Sequence, residues 1–126
     1  MDLGVWRSLV MVKYIITIFF PKKVFIMIVN SLDKESILSE LSSLKDDLAT
    51  LYEVNKIGVF GSIARNEANE NSDIDIVVDM QPNILKRVNL KIELEAKFGR
   101  KVDVIRYWYG MNKYLKARID REAVYA

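Results

Sequence analysis

Asp73-Ile74-Asp75-Ile76-Val77-Val78-Asp79 alternates charged and apolar side chains with period two, the pattern of a strand with one covered face. Residues i and i+2 of a strand share a face, so Asp73 and Asp75 project together while Ile74 and Ile76 project oppositely. Ten residues upstream of this segment stands Gly61-Ser62, at the end of the apolar run Lys56 to Phe60. That run reads as another short strand, followed by one or two helical turns at Ile63 to Glu67 and a polar loop from Asn66 to Ser72. The chain therefore carries two strands joined through a glycine bend, with two carboxylates aimed at one side.

Around this centre the spacing turns helical. Ile37, Leu38, Leu41, Leu44, Leu48 and Leu51 recur at intervals of three and four, with Ser31 or Asp33 as candidate caps. Gln81-Pro82-Asn83 marks a turn, and Ile84 to Phe98 reads as a helix packing through Leu85, Val88, Ile92 and either Leu94 or Glu95. Gly99 is its expected stop. Lys101 to Ile105 reads as a third strand, and Met111 to Val124 as a closing basic helix that packs through Tyr114, Leu115, Ile119 and Val124. The fold class is α/β (α+β), a small mixed sheet of about three to four strands flanked by helices, within residues 31–126.

Residues 1–30 differ: they are apolar, with Arg7, Lys13, Lys22 and Lys23 against Asp2. Neither apolar run there reaches the ~20 residues of a spanning helix. They read as an added packed element, a partner-binding arm, or sequence upstream of a start at Met27, with the last preferred. A cytoplasmic location without a membrane partner is the expectation.

Composition matters most through what is missing. The chain has 126 residues with no His and no Cys. That excludes the usual zinc ligand sets, Cys–His and Ser–His–Asp nucleophiles, and disulfides. A metal would be held by oxygen, which favours a hard cation such as Mg²⁺, and a general base would be a carboxylate, Lys or Tyr. The balance of 19 basic and 17 acidic residues does not mark a nucleic-acid binder, although the segment from Arg100 onward is positive.

Asp73 and Asp75, about 6.6 Å apart along an extended chain, can clamp or bridge two Mg²⁺ ions spaced about 3.5–4 Å. Asp103 completes an oxygen cluster if its strand lies beside theirs, and could take a proton from an attacking hydroxyl. Gly61 lets the backbone approach a ligand closely, Ser62 adds a small donor, and Arg65 can pair with phosphate oxygens. No Gly-x-x-x-x-Gly-Lys-Ser/Thr is present, so the bend is not a P-loop. Asp79 reads as a strand-end residue. Tyr107-Trp108-Tyr109 reads as core or partner interface ahead of a base-stacking platform, and Lys113, Lys116, Arg118 and Arg121 as a solvated face or one suited to an acidic partner.

Gly61-Ser62-Ile63-Ala64-Arg65 followed by Ser72-Asp73-Ile74-Asp75-Ile76-Val77-Val78 resembles the signature of the DNA polymerase β-like nucleotidyltransferase superfamily. It is most similar to the minimal nucleotidyltransferase (MNT) branch, the antitoxin partners of HEPN ribonuclease toxins. The resemblance runs from about Ser31 to Ala126 and includes the ending Arg121-Glu122-Ala123-Val124-Tyr125. It implies that Asp73, Asp75 and Asp103 are catalytic ligands of two Mg²⁺ ions and that Gly61 and Ser62 hold a nucleoside triphosphate, ATP. It further implies transfer of AMP to a hydroxyl, such as a tyrosine of a HEPN toxin, in a hetero-oligomer with that toxin. A non-catalytic antitoxin acting by stoichiometric binding is the alternative, and nucleic acid is not the expected main partner. Asn66 departs from the pattern, which has Gly there, but Asn tolerates the left-handed backbone such a turn needs.

Overall fold

Asp33 opens the first helix by accepting a 2.8 Å hydrogen bond from the Ser36 N–H, which satisfies a donor that the helix itself leaves free. The computed structural model describes residues 33–126. The readings of residues 1–30, the start at Met27 and the candidate cap Ser31 lie outside the described residues.

Helix α1 (Lys34–Tyr52) buries Ile37, Leu41, Leu44 and Leu48 and ends at Glu53, whose left-handed φ of 57° directs its N–H to Ala49. Next come β1 (Lys56–Phe60), the four-residue α2 (Gly61–Ala64) and β2 (Ile74–Asp79). Helix α3 (Ile84–Phe98) begins at Asn83, whose side chain accepts from the Lys86 N–H, and stops at Gly99 with φ 63°. Strand β3 (Val102–Arg106), helix α4 (Lys113–Glu122) and strand β4 (Val124–Tyr125) complete the chain.

The sheet order is β3-β2-β1-β4. β1 runs antiparallel to β2 and β4, while β2 and β3 are parallel. A parallel pair requires a crossover, which α3 supplies. Ile57, Val59, Ile74, Ile76, Val78 and Val102 line one face and pack with the buried residues of α1 and α3. The alternate residues Phe60 and Val77 face the other way, where Ile119 of α4 covers them with Ile105, Met111 and Leu115 at the margin.

Two expectations need correction. Helix α3 has the foreseen ends and buries the expected Leu94, but otherwise turns the opposite face inward: Leu90, Leu94 and Phe98 are buried, whereas Leu85, Val88 and Ile92 are 73%, 46% and 60% exposed. At 100° per residue these are two apolar stripes on opposite sides of one helix, and spacing alone cannot choose between them. The closing helix also ends before Val124, which instead enters β4 and pairs with Val59. Gly58 permits this close approach, since a Cβ there would lie 2.6 Å from the Val124 carbonyl oxygen. Smaller shifts start β2 at Ile74 and β3 at Val102, and shorten the helix after the glycine bend.

Candidate active site

The register of the sheet brings Phe60, Asp75 and Asp103 into one row across β1, β2 and β3. Asp75 and Asp103 are neighbours on parallel strands, and the alternation that buries Ile74 and Ile76 beneath α1 and α3 directs both carboxylates to the α4 face. The Asp75 side chain is 22% exposed. Asp73 stands just before β2, with Lys101 Nζ 3.5 Å from its carboxylate. The buried Arg100 holds the loop leading to it, donating through Nη2 to the carbonyls of Asn69 (2.7 Å) and Ser72.

Gly61 sits at φ 73°, a conformation that disfavours any residue with a Cβ. A Cβ there would also lie 2.1 Å from Asp75 Oδ2, so the bend and the carboxylate touch only because the residue is glycine. The half-buried Ser62 follows at the start of the same turn. Asn66 adopts φ 59° and donates to the Ile63 carbonyl at 3.2 Å, so the left-handed position is occupied as expected.

Helix α4 closes this end. The Gly61 N–H donates to Glu122 Oε2 at 3.1 Å, and Arg65 Nη1 donates to both Glu122 oxygens at 3.0 Å. Arg65 Nε donates to Glu67 at 2.9 Å. Arg118 reaches Asp75 Oδ2 at 3.9 Å and Glu122 Oε2 at 3.4 Å, with its guanidinium over the Phe60 ring.

Electrostatics separates the two carboxylates. Burial pushes the Asp75 pKa above its ordinary value, and the charges of Asp103 and Asp73 add to this, against the pull of Arg118 and Arg65. Burial would also raise Glu122, but the hydrogen bond and charge of Arg65, the Gly61 N–H and the charge of Arg118 bring it below the usual range. Asp75 thus resists ionisation next to other acids, while Glu122 is held as an anion.

Asp73, Asp75 and Asp103 offer an all-oxygen donor set of the kind a hard divalent cation takes: Asp75 and Asp103 are register neighbours, and Asp73 stands just before β2, two residues ahead of Asp75. In the present side-chain arrangement, no three acidic groups among the described residues close into a metal cage, and Lys101 and Arg118 lie beside two of them. The donor chemistry of the three carboxylates fits such a cation.

Arg100, Arg118 and Glu122 were not singled out as site residues from sequence. Arg118 in particular turns toward the site instead of forming a solvated face, whereas Lys116 pairs with Asp120 at 3.0 Å on the helix surface. The four-residue interval between Arg118 and Glu122 was the available signal, because it puts both on one side of a helix. Tyr107 packs at the margin of the α4 cluster and donates to Asp120 at 2.7 Å; Trp108 and Tyr109 are exposed. Asp79 is exposed at the end of β2, opposite Lys56. A cavity of about 270 Å³ lined by Met80, Asn83, Arg87 and Arg106 opens beyond that far end of β2, away from the acidic row.

A mixed sheet with two carboxylates abreast on parallel strands, meeting a glycine bend from the next strand, defines the class: a minimal nucleotidyltransferase fold. The nucleotidyltransferase domain model matches residues 41–126, and the chain belongs to that family. Protein adenylyltransferase MntA of Thermococcus cleftensis is 42% identical over 97 residues, covering 72% of this chain and 93% of that relative. A solved structure described as a minimal nucleotidyltransferase superposes with TM-score 0.62 at 30% identity, over 75% of this chain and 96% of the other. A chain from a toxin–antitoxin crystal structure with AMP-PNP shares the fold at 21% identity and TM-score 0.55, over 66% of this chain and 69% of its own. Among the described residues no helix is long and apolar enough to cross a membrane.

Proposed function

We propose that residues 31–126 form a protein adenylyltransferase domain that transfers AMP from ATP to a hydroxyl, a tyrosine, of a cognate HEPN-type toxin and so acts as its cytoplasmic antitoxin in a hetero-oligomer. The observation that carries this reading is the row of Asp75 and Asp103 against the Gly61 bend. The Thermococcus relative, named a protein adenylyltransferase, supports a protein acceptor, and the toxin–antitoxin neighbour with AMP-PNP supports a toxin partner and an adenine nucleotide.

In this reading Gly61, Ser62 and Arg65 receive the triphosphate, the glycine by close backbone approach and the serine through its small hydroxyl. Asp73, Asp75 and Asp103 would hold Mg²⁺, which when bound supplies positive charge to the triphosphate and to the attacking oxygen. The acceptor oxygen forms a bond to the α-phosphorus as the bond to the β-phosphate bridging oxygen breaks, and pyrophosphate leaves. Asp103 takes the hydroxyl proton, because it is half-buried in the same row and lies beyond Asp75 from the glycine bend. Helix α4 covers the part of the open face around Phe60 and Val77, and in this reading the acceptor comes from a partner.

The test is incubation of the purified chain and its co-produced partner with Mg²⁺ and α-labelled ATP. Label on the partner, lost at least ~100-fold in Asp103→Asn, is expected for removal of an acid–base group. Equal labelling by the Asp103→Asn variant would remove Asp103 from the chemistry, and neutralisation of the toxin without any label would replace this reading with stoichiometric binding.

A further inference from the structure

Glu122 lies 57 to 61 positions from Arg65 and Gly61, so these two contacts are tertiary. Its side chain is only 10% exposed, yet it carries a charge that Arg65, Arg118 and the Gly61 N–H all engage. Burying an anion is costly unless every partner is in place, so this arrangement is specified closely. Arg65 Nη1 bonded to both carboxylate oxygens, together with Nε bonded to Glu67, fixes the plane of its guanidinium. The Gly61 N–H bond fixes the peptide at the point where the strand bends at positive φ. The same carboxylate also sits behind Arg118, which faces Asp75. One side chain therefore sets the bend, one cation beside it and a second cation facing the acidic row.

Resting on the nucleotide-binding reading above, we infer that Glu122 is a positioning residue for the triphosphate: it holds Gly61 and Arg65 in the orientation that receives phosphate, without touching the nucleotide itself. Glu122 acts in part through Arg65, so that part of its worth to nucleotide binding disappears when Arg65 is removed. This distinguishes it from a buried ion pair that only ties α4 to the sheet, whose loss would lower stability and leave the nucleotide affinity of the folded molecules unchanged.

Calorimetric titration of Mg²⁺–ATP into the wild type, Glu122→Gln, Arg65→Gln and the double variant, each with a measured melting temperature, reads this directly. Glu122→Gln is expected to weaken ATP binding about tenfold, the scale of one charge-assisted hydrogen bond. The double variant is expected to lose clearly less than the product of the two single losses, the mark of two residues that act partly through one another. Glu122→Asp keeps the charge but is shorter by one methylene; it is expected to recover part of the affinity and serves as the reading if Glu122→Gln does not fold. Unchanged or tighter binding by Glu122→Gln overturns the inference, as do losses that multiply in the double variant. With Glu122→Gln unfolded, affinity of Glu122→Asp equal to wild type does the same. Absence of ATP binding by the wild type overturns the nucleotide-binding reading as well, which separates the two failures.

Discussion

The two faces of the sheet are built on opposite terms. Under α1 and α3 lie Ile57, Val59, Ile74, Ile76, Val78 and Val102, packed with Leu41, Leu48, Leu90, Leu94 and Phe98 into a continuous apolar layer. On the α4 side the buried cluster reduces to Phe60, Val77 and Ile119, and beside it stand Asp75, Asp103, Arg118 and Glu122. The difference teaches where stability comes from and where it is given up. The dense face holds strand register by burial, because a slip of one residue would turn every isoleucine outward. That security lets the other face keep acids together, an arrangement that opposes folding but suits chemistry.

The sharpest way to break this contrast is Asp75→Asn. Transfer activity is expected to fall at least ~100-fold, since the central oxygen donor of the row becomes a neutral amide. Stability should move the other way. Because the folded-state pKa of Asp75 lies above its unfolded value, the native state binds the proton more tightly, and the ionised form weakens the fold at neutral pH. That cost is fully present above the folded pKa and gone below the unfolded one, near 3.8. Thermal melts in EDTA should therefore find the Asn variant more stable than wild type at pH 7, with the gap closing as pH falls below the carboxylate range. A variant less stable at pH 7 would mean that the acidic row does not oppose folding.

Next in size is the contrast within α3. Leu94→Ala empties a fully buried site in the apolar layer and should cost about 2–5 kcal/mol, whereas Leu85→Ala, on the exposed stripe, should change stability by about 0.5 kcal/mol or less. Urea unfolding of both variants checks this. Comparable losses would show that the helix buries both stripes.

How much of this was legible beforehand depended on the range of the interaction. Strand β2 and the direction of its carboxylates followed from alternation, because a half-covered strand must separate its two side-chain sets. The ends of α3 followed from Asn83 and Gly99, which act within one turn of themselves. Asn66 likewise announced its own left-handed φ. The inward face of α3 was not readable, since Leu85, Val88 and Ile92 satisfy helical spacing as well as Leu90, Leu94 and Phe98 do. Nor were the partners of Arg100, Arg118 and Glu122, because each depends on a segment at least 28 residues away being folded against it. The two-residue β4 was hidden for a related reason: Val124–Tyr125 becomes a strand only because Gly58 leaves space on β1.

The smallest expected effect probes a polar tie between the helices of the dense face. Tyr52 at the end of α1 donates to Glu93 Oε2 of α3 at 2.5 Å. That hydrogen bond, with burial and the Glu93 charge, pushes the tyrosine pKa up to about 12, because a phenolate could not donate and would face another anion. Tyr52→Phe should thus cost about 1 kcal/mol at pH 8, within the range of a hydrogen bond to a charged group that is partly open to solvent. Since the folded pKa is the higher one, the contribution is complete below the unfolded value of 10.0 and disappears as pH rises through about 12. Urea unfolding at pH 8 and again near the upper limit should show the wild-type advantage shrinking. A gap that stays constant would show that the ionisable bond from the Tyr52 hydroxyl to Glu93 does not carry the difference between the two side chains.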